Sequence, residues 1–306
     1  MLAAGAGTRL RPLSLTKPKA LFPLLDRPVI SWRLRAFTEA GIHTVCVNMH
    51  HHAPLLSAYL KEAETLLDVQ ILQFNEQPEP YGTAGALKAM AKHLDDDFVV
   101  TNADVVSSAP VQELVELHRQ QEAVATVLAV PCKNDEPDLV IRDGSVMRFV
   151  DHGEHVEDGW TYGCTAVFNK ELLDLIPDGA SGIFESVFKP LNERPSDVAA
   201  LEWTGYWQDI GTPASHLSSN LDALSKELGP VPPAAGDEPV TLSQKAYVGA
   251  AAETEGAELV NCVVGHAAVV DSGARLESCV VWDHTWVPEG SYVNCVITPA
   301  GKLQVS

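Results

Sequence analysis

The first nineteen residues, MLAAGAGTRLRPLSLTKPK, constrain this chain more than any other stretch of it. Gly5-Ala6-Gly7-Thr8-Arg9 is a glycine-rich turn after a short apolar start, and basic residues continue to Lys17 and Lys19. Glycines let backbone N–H groups close around an anion, and the positive end of a following helix adds to the attraction. The charge distribution points the same way. Residues 1–35 carry Arg9, Arg11, Lys17, Lys19, Arg27, Arg33 and Arg35 against one acid, Asp26. That segment is +6 in a chain of net charge −20, which leaves −26 on the remainder. A cationic island in an acidic protein predicts a small polyanion as ligand. Nucleic acid is not expected as a partner, because so acidic a chain repels a long phosphate backbone.

Neither of two widespread phosphate loops fits the spacing. A GxxxxGK[ST] loop needs a lysine at a distance where these glycines have none. A GxGxxG turn needs a third glycine where Leu10 stands. The full string GAGTRLRPL followed by KPKAL instead resembles the signature of the sugar-1-phosphate nucleotidyltransferases, GxGTRLxPLT followed by PKPL. Members of that family join a nucleoside triphosphate to a sugar 1-phosphate and release pyrophosphate.

At 306 residues the chain is long enough to bury a large core, and 46% hydrophobic with 20% charged residues describes a soluble globular protein. No apolar run approaches about 18 residues and no signal peptide is visible, so the expectation is a cytoplasmic protein with no membrane partner. The six cysteines show no CxxC pair and read as reduced, mostly buried thiols.

Short apolar runs alternate with helical patterns over residues 1–225. Residues 45–48, 69–72 and 98–101 read as strands, and 29–40, 54–67, 84–93 and 110–121 as helices. The alternation predicts an α/β domain with a Rossmann-like, mainly parallel sheet flanked by helices. Ligands in such sheets sit beyond the carboxyl ends of the strands, where the glycine loop and Asp104 would both lie. Residues 229–239, GPVPPAAGDEP, break the pattern with four prolines and two glycines. The expected division is a catalytic domain over 1–226, a linker over 227–241 and a second domain over 242–306. In that second domain Asn261-Cys262-Val263-Val264, Ser278-Cys279-Val280-Val281 and Asn294-Cys295-Val296-Ile297 recur at steps of 17 and 16 residues. Val264, Val270 and Leu276 are six apart, as are Val281, Val287 and Val293. This spacing predicts a β-helix of hexapeptide repeats in which the three cysteines stack. The resemblance implies that it is left-handed.

Nucleotidyl transfer depends on positioning and on neutralising developing charge, and a hard divalent cation needs carboxylate oxygens. Asp104, after the apolar run FVVTNAD, is the first expected Mg²⁺ ligand. Asp209 is the second, in GYWQDIGTP, which resembles the family's W-x-D-[IT]-G-T element. The resemblance implies that Leu2, Ala3, Ala4, Gly5, Gly7, Thr8 and Arg9 hold the nucleotide. Arg9 would contact the triphosphate and Lys19 the α-phosphate region, with Arg9, Lys19 and Asp104 as the catalytic set. Glu76-Gln77-Pro78 and Gly82-Thr83-Ala84-Gly85 resemble the second nucleotide segment, where small residues let base and ribose lie against backbone. Gly163 and Glu185 are the expected sugar contacts. Three consecutive histidines, His50-His51-His52, cannot easily face one ion and read as a surface or helix-start group.

Three departures from the family pattern stand out. Asn102-Ala103-Asp104 replaces Gly-Asp, and Phe149-Val150-Asp151-His152 lacks a Glu-Lys-Pro whose lysine contacts the sugar phosphate. Relatives also carry several aliphatics before LAAG, so the natural chain is expected to start upstream of Met1. The GTAGAL string and the β-helix look most like mannose-1-phosphate guanylyltransferases, with GTP and mannose 1-phosphate as substrates. A uridylyl- or thymidylyltransferase is the first alternative. A weakly active regulatory paralogue that binds nucleotide sugar is the second. The oligomeric state stays open, with a homo-oligomer allowed.

Overall fold

The computed structural model describes residues 1–25, 27–132, 136–154, 156–157, 159–225, 242–243 and 246–305. The expected linker, 227–241, lies outside the described residues. Helix α1 covers Val29–Glu39, β1 Thr44–Met49, α2 Ala53–Leu67 and β2 Gln70–Asn75. After them come α3 Gly82–Met90, β3 Asp97–Thr101 and α4 Val111–Gln121. In α2, Ala53, Leu56, Leu60 and Ala63 are buried at helical spacing, so one stripe faces the core. Pro54 suits the first turn, and Asp68 ends the helix in the left-handed conformation, its N–H donating to the Glu64 carbonyl.

The chain divides into two compact units, neither continuous in sequence. The first comprises Met1–Ala6, Arg33–Val105 and Ala109–Trp207. The second comprises Gly7–Trp32, Val106–Ser108 and Gln208–Ser306, so the glycine-loop residues from Gly7 onward group with the C-terminal strands.

In the first unit, β1 and β2 pair in parallel. Leu2 forms parallel bridges to Asn48 at the end of β1 and to Asn102 just after β3. Five further strands follow: β4 Ala125–Pro131, β5 Leu139–Arg142, β6 Ser145–Phe149, β7 Trp160–Asn169 and β8 Val198–Glu202. With β3 they form a six-stranded sheet in the order β3-β7-β4-β8-β6-β5. Among the described residues only β4 and β8 pair in parallel there; β7 is antiparallel to both of its long neighbours, and β5 and β6 form an antiparallel hairpin. The expectation of a mainly parallel sheet is therefore corrected to an α/β fold with a mixed sheet. The cause is the ten-residue β7, which runs back between β3 and β4 without a crossover helix. Its register shifts between Tyr162 and Ala166, and Cys164 there has a φ of 53°, so Gly163-Cys164 break the strand's alternation.

The core of this unit gathers Val127, Ala129, Phe149, Phe168, Val187 and Phe188 around the sheet. Phe149 and Phe188 stack with centroids 4.4 Å apart, and Tyr162 meets Phe188 edge-on at 4.9 Å. A cavity of about 390 Å³ lies among Met1, Val45, Cys46, Phe98 and Val99. The Met1 amine is buried beside it, donates to the Cys46 carbonyl at 2.8 Å, and has its pKa lowered by burial to about 6.

The second unit holds α5 Pro213–Ser225 and short strands stacked in parallel ladders. One ladder joins β9 Ala246–Val248, β11 Cys262–Val264, β14 Val280–Val281 and β17 Cys295–Thr298. A second joins β10 Glu258–Val260, β13 Arg275–Glu277 and β16 Ser291–Val293, and a third β12 Val269–Val270 and β15 Trp286–Val287. The last strand, β18 Gly301–Gln304, closes the first ladder antiparallel to β17. Cys262, Cys279 and Cys295 are fully buried at equivalent positions. The inward phase slips in the last coil. Leu276 pairs with Tyr292, while Val293 pairs with Glu277 and is 45% exposed. The 16-residue step moves the inward slot one position earlier, and neighbouring strand residues face opposite ways. Among the described residues no helix is long and apolar enough to cross a membrane.

Candidate functional site

The glycine turn begins with Gly7 in the left-handed conformation, φ 61° and ψ 37°, where a side chain would be strained. Its carbonyl accepts from Leu10 N–H at 3.0 Å and from the Ser14 hydroxyl at 2.7 Å, which closes the loop on itself. Leu10 is buried while Thr8 and Arg9 are exposed. Thr8–Leu10 and Leu13–Leu15 are three-residue 3₁₀ turns, so no α-helix follows the loop directly. The helix expected to follow the glycine turn is therefore not formed there.

Arg9 and Asp209 come together in the second unit around Gly211. A β-carbon on Gly211 would lie 2.7 Å from Asp209 Oδ2 and 3.0 Å from Arg9 Nη2. Only glycine leaves room for both groups. Beyond it, Gly211 and Thr212 donate backbone N–H bonds to the Ser215 hydroxyl at 3.1 and 3.0 Å, which starts α5. Lys19 opens a further 3₁₀ turn, Lys19–Leu21, that ends on the fully buried Phe22.

In the first unit a chain of hydrogen bonds organises the other segments. Leu2 donates to the Thr101 carbonyl at 2.8 Å and accepts from Ala103 N–H at 2.9 Å. Ala3 N–H donates to Asn48 Oδ1 at 2.7 Å, and Asn48 Nδ2 donates to Glu76 Oε1 at 2.8 Å. The other Glu76 oxygen accepts from Tyr81 N–H at 2.7 Å. Glu76 is 2% exposed, so this ring of bonds compensates a buried carboxylate. Sequence reasoning found Glu76 and missed Asn48, which is one more polar residue on an apolar strand until its partner is known. His50 Nδ1 bonds the Glu76 carbonyl at 2.9 Å, and His52 precedes α2 in the left-handed conformation.

The glycines of the GTAG turn answer to the chain's own loop. Gly82 has a φ of 71°, and a β-carbon there would overlap the Ser181 carbonyl; one on Gly85 would overlap the Gly179 carbonyl. Thr83 Oγ1 accepts from Ile183 N–H at 2.7 Å. The close backbone approach that small residues were expected to allow is taken here by residues 179–183.

Asp104 and Ala103 are both buried, 4% and 1% exposed, just beyond the end of β3. Gly163 packs its Cα on Leu128, where a β-carbon would come within 2.8 Å of the leucine side chain. Its carbonyl accepts from the Trp207 indole at 3.0 Å, a role for Trp207 that the sequence did not show. Glu185 is exposed on a π-helical turn, Phe184–Phe188, with Lys189 Nζ 3.8 Å from it and 3.3 Å from Asp151. Asp151 raises the pKa of that ammonium. Lys189 thus brings a cation to Asp151, in the segment that lacks the expected lysine.

Thus Leu2, Ala3, Ala4, Gly5, Glu76, Gly82, Thr83, Asp104, Gly163 and Glu185 belong to the first unit. Gly7, Thr8, Arg9, Lys19 and Asp209 belong to the second. Among the described residues no three His, Cys, Asp or Glu side chains converge into a closed metal cage. Mg²⁺ needs no such cage when one or two carboxylates and substrate phosphates share its coordination.

Comparison with known proteins places this arrangement. The chain is 31% identical to the mannose-1-phosphate guanylyltransferase catalytic subunit beta of Drosophila pseudoobscura pseudoobscura, over 74% of its own length and 62% of that protein's. It is 33% identical to a mannose-1-phosphate guanyltransferase of Eremothecium gossypii, over 74% of this chain and 65% of that one. The chain therefore matches a little under two thirds of the length of these relatives. Among solved structures, a putative glucose-1-phosphate thymidylyltransferase from Bacillus anthracis superposes with a TM-score of 0.66 at 18% identity, covering 76% of this chain and 95% of that one. HddC from Yersinia pseudotuberculosis gives 0.60 at 22% identity, covering 72% and 96%. At these identities the two structures share the fold. Residues 1–226 match the Nucleotidyl transferase family, and the chain belongs to it.

Proposed function

We propose that this protein transfers a guanylyl group from GTP to mannose 1-phosphate, giving GDP-mannose and pyrophosphate. Family membership over residues 1–226 supports the reaction class, and relatives named for mannose 1-phosphate support the substrate pair. The observation that carries the chemistry is the meeting of Arg9 and Asp209 around Gly211. A cation and a carboxylate held against one glycine can serve triphosphate and metal together.

In this reading a phosphate oxygen of the sugar 1-phosphate forms a bond to the α-phosphorus, and the bond from that phosphorus to the β-phosphate oxygen breaks. Pyrophosphate leaves with the electron pair. Arg9 binds the β- and γ-phosphates and stabilises the charge that develops on the leaving group. Lys19 holds the α-phosphate as it becomes crowded. Backbone from Leu2 to Thr8, with Gly82, Thr83 and the Glu76 ring, positions the nucleoside. Gly163 and Glu185 orient the sugar, with Lys189 close to its phosphate. Asp104 and Asp209 would hold Mg²⁺, which supplies Lewis-acid neutralisation of the phosphate oxygens when bound.

The three parallel ladders, the buried cysteine stack and the recurring 16–17-residue step support reading residues 242–306 as a left-handed β-helix of hexapeptide repeats. We assign catalysis to 1–226, with 227–241 as the linker, in a cytoplasmic protein. The buried Ala103 methyl, where the family pattern has the glycine of Gly-Asp, favours the regulatory paralogue as second reading. Asp104→Asn separates the two. Loss of Mg²⁺-dependent pyrophosphate release with unchanged folding supports the enzyme, and full activity in that variant contradicts the metal assignment.

A further inference from the structure

One node in the second unit lies outside the proposed chemistry yet touches both signature segments. Trp282, just after β14, is 3% exposed. Its ring stands edge-on to Phe22 at 5.0 Å and to His216 at 5.9 Å, and the latter two rings meet at 5.3 Å. The indole N–H donates to His216 Nε2 at 3.1 Å. The Lys17 ammonium lies over the same indole, 5.1 Å from the ring centroid.

The positions of these partners give the node its meaning. Lys17 and Phe22 flank Lys19, and Phe22 N–H donates to the Lys19 carbonyl at 3.0 Å. His216 sits one turn into α5, its N–H donating to the Thr212 carbonyl at 3.0 Å, directly after the segment with Asp209 and Gly211. One indole therefore touches the chain on both sides of Lys19 and the helix that follows Asp209. Ordinary core packing needs only an apolar side chain at 282. It does not need an N–H aimed at a buried imidazole, nor a ring face turned to a half-buried ammonium. Burial works against that ammonium and Asp283 attracts it, so the ring and the neighbouring carboxylate hold it in place.

We propose that Trp282 is a positioning residue for the phosphate-binding segment. Its ring face fixes Lys17, and its N–H fixes the start of α5 through His216. Catalysis by the N-terminal 226 residues would then depend on a side chain from the C-terminal coil. The kinetic half of this inference rests on the nucleotidyl-transfer reading, and the positional half does not.

The test uses the full chain with Trp282→Phe, Trp282→Leu, Lys17→Met and the double variant Lys17→Met/Trp282→Leu. Acylation of Lys17 by a small anhydride, followed by peptide mass, reads its position without turnover. The expected result is labelling several-fold faster in Trp282→Leu and near wild type in Trp282→Phe, which keeps a ring face. Labelling unchanged in Trp282→Leu overturns the proposal. Should that variant not fold, Trp282→Met, which has no ring face, takes its place: faster labelling supports the proposal, and wild-type labelling overturns it. In the kinetic arm, Trp282→Leu should lower kcat/KM on the order of five-fold when Lys17 is present and by clearly less on Lys17→Met, where only the His216 contact is left to lose. Equal losses in both backgrounds indicate packing alone and overturn the proposal. A wild type that releases no pyrophosphate contradicts the reaction assignment, and the labelling arm then decides the positional claim.

Discussion

Acidifying this protein from pH 7 to pH 5 places a cost on one side chain, His216. The imidazole is fully buried, and burial, with the nearby Lys17 charge, lowers its pKa from 6.5 to about 3. Its Nε2 accepts from Trp282, so the neutral tautomer carries its proton on Nδ1. In the unfolded chain the same ring takes up a proton near pH 6.5. Below that pH the unfolded state binds one proton more than the folded state, so stability falls as pH falls until the folded ring titrates near pH 3. The slope approaches a factor of ten in the folding equilibrium per pH unit. Between pH 7 and pH 5 the loss is about 2 kcal/mol. Urea unfolding of wild type and His216→Gln at both pH values measures it. Glutamine keeps an acceptor for the indole and does not titrate. The Met1 amine, whose lowered pKa acts in the same direction, is common to both proteins and cancels. The wild type should lose about 2 kcal/mol more than the variant on acidification. Parallel losses would refute a buried neutral His216.

Three other substitutions probe the two units. Gly82→Ala should destabilise the protein by more than about 1 kcal/mol, because the left-handed φ and the Ser181 carbonyl both oppose a β-carbon; an unchanged urea midpoint would contradict the observed loop approach. Arg33 is 1% exposed, and its Nε and Nη1 make no hydrogen bond, with only Nη2 reaching Thr165 Oγ1 at 3.2 Å. Arg33→Met should therefore leave the melting temperature unchanged or raise it, and a clear drop would reveal compensation of the guanidinium that this geometry lacks. Lys19→Ala should lower kcat more than it raises KM for GTP, since its charge matters most as the α-phosphate becomes crowded. A change confined to KM would make Lys19 a binding residue only.

The helices flanking the first unit were legible because their apolar residues recur at helical spacing over two or more turns. The 84–93 pattern differs only in that α3 starts two residues earlier, at Gly82, and its last three residues tighten into a 3₁₀ turn. Strand β7 was not legible. Gly163-Cys164 interrupt its alternation, and the bulge there hides a ten-residue strand whose direction makes the sheet mixed. The outward turn of Val293 was equally hidden, because sixfold spacing does not reveal a single-residue slip. At the candidate site, Arg9, Glu76, Asp104 and Asp209 stood out through motifs. Asn48 and Lys189 carry no motif, and the motif around Trp207 does not show its bond to Gly163; these roles arise from partners 28, 38 and 44 residues away. Such pairings depend on tertiary approach, which local pattern does not encode. The grouping of residues 7–32 with the C-terminal strands was invisible for the same reason.

Pyrophosphate release is the most direct measurement. The full chain is supplied with Mg²⁺ and with each of GTP, UTP, dTTP, CTP and ATP, against mannose 1-phosphate and a panel of other sugar 1-phosphates. The account predicts release that requires GTP and mannose 1-phosphate together and stops when Mg²⁺ is chelated. Silence across the whole panel, from folded protein that still binds a nucleotide sugar, would contradict it and favour the regulatory paralogue.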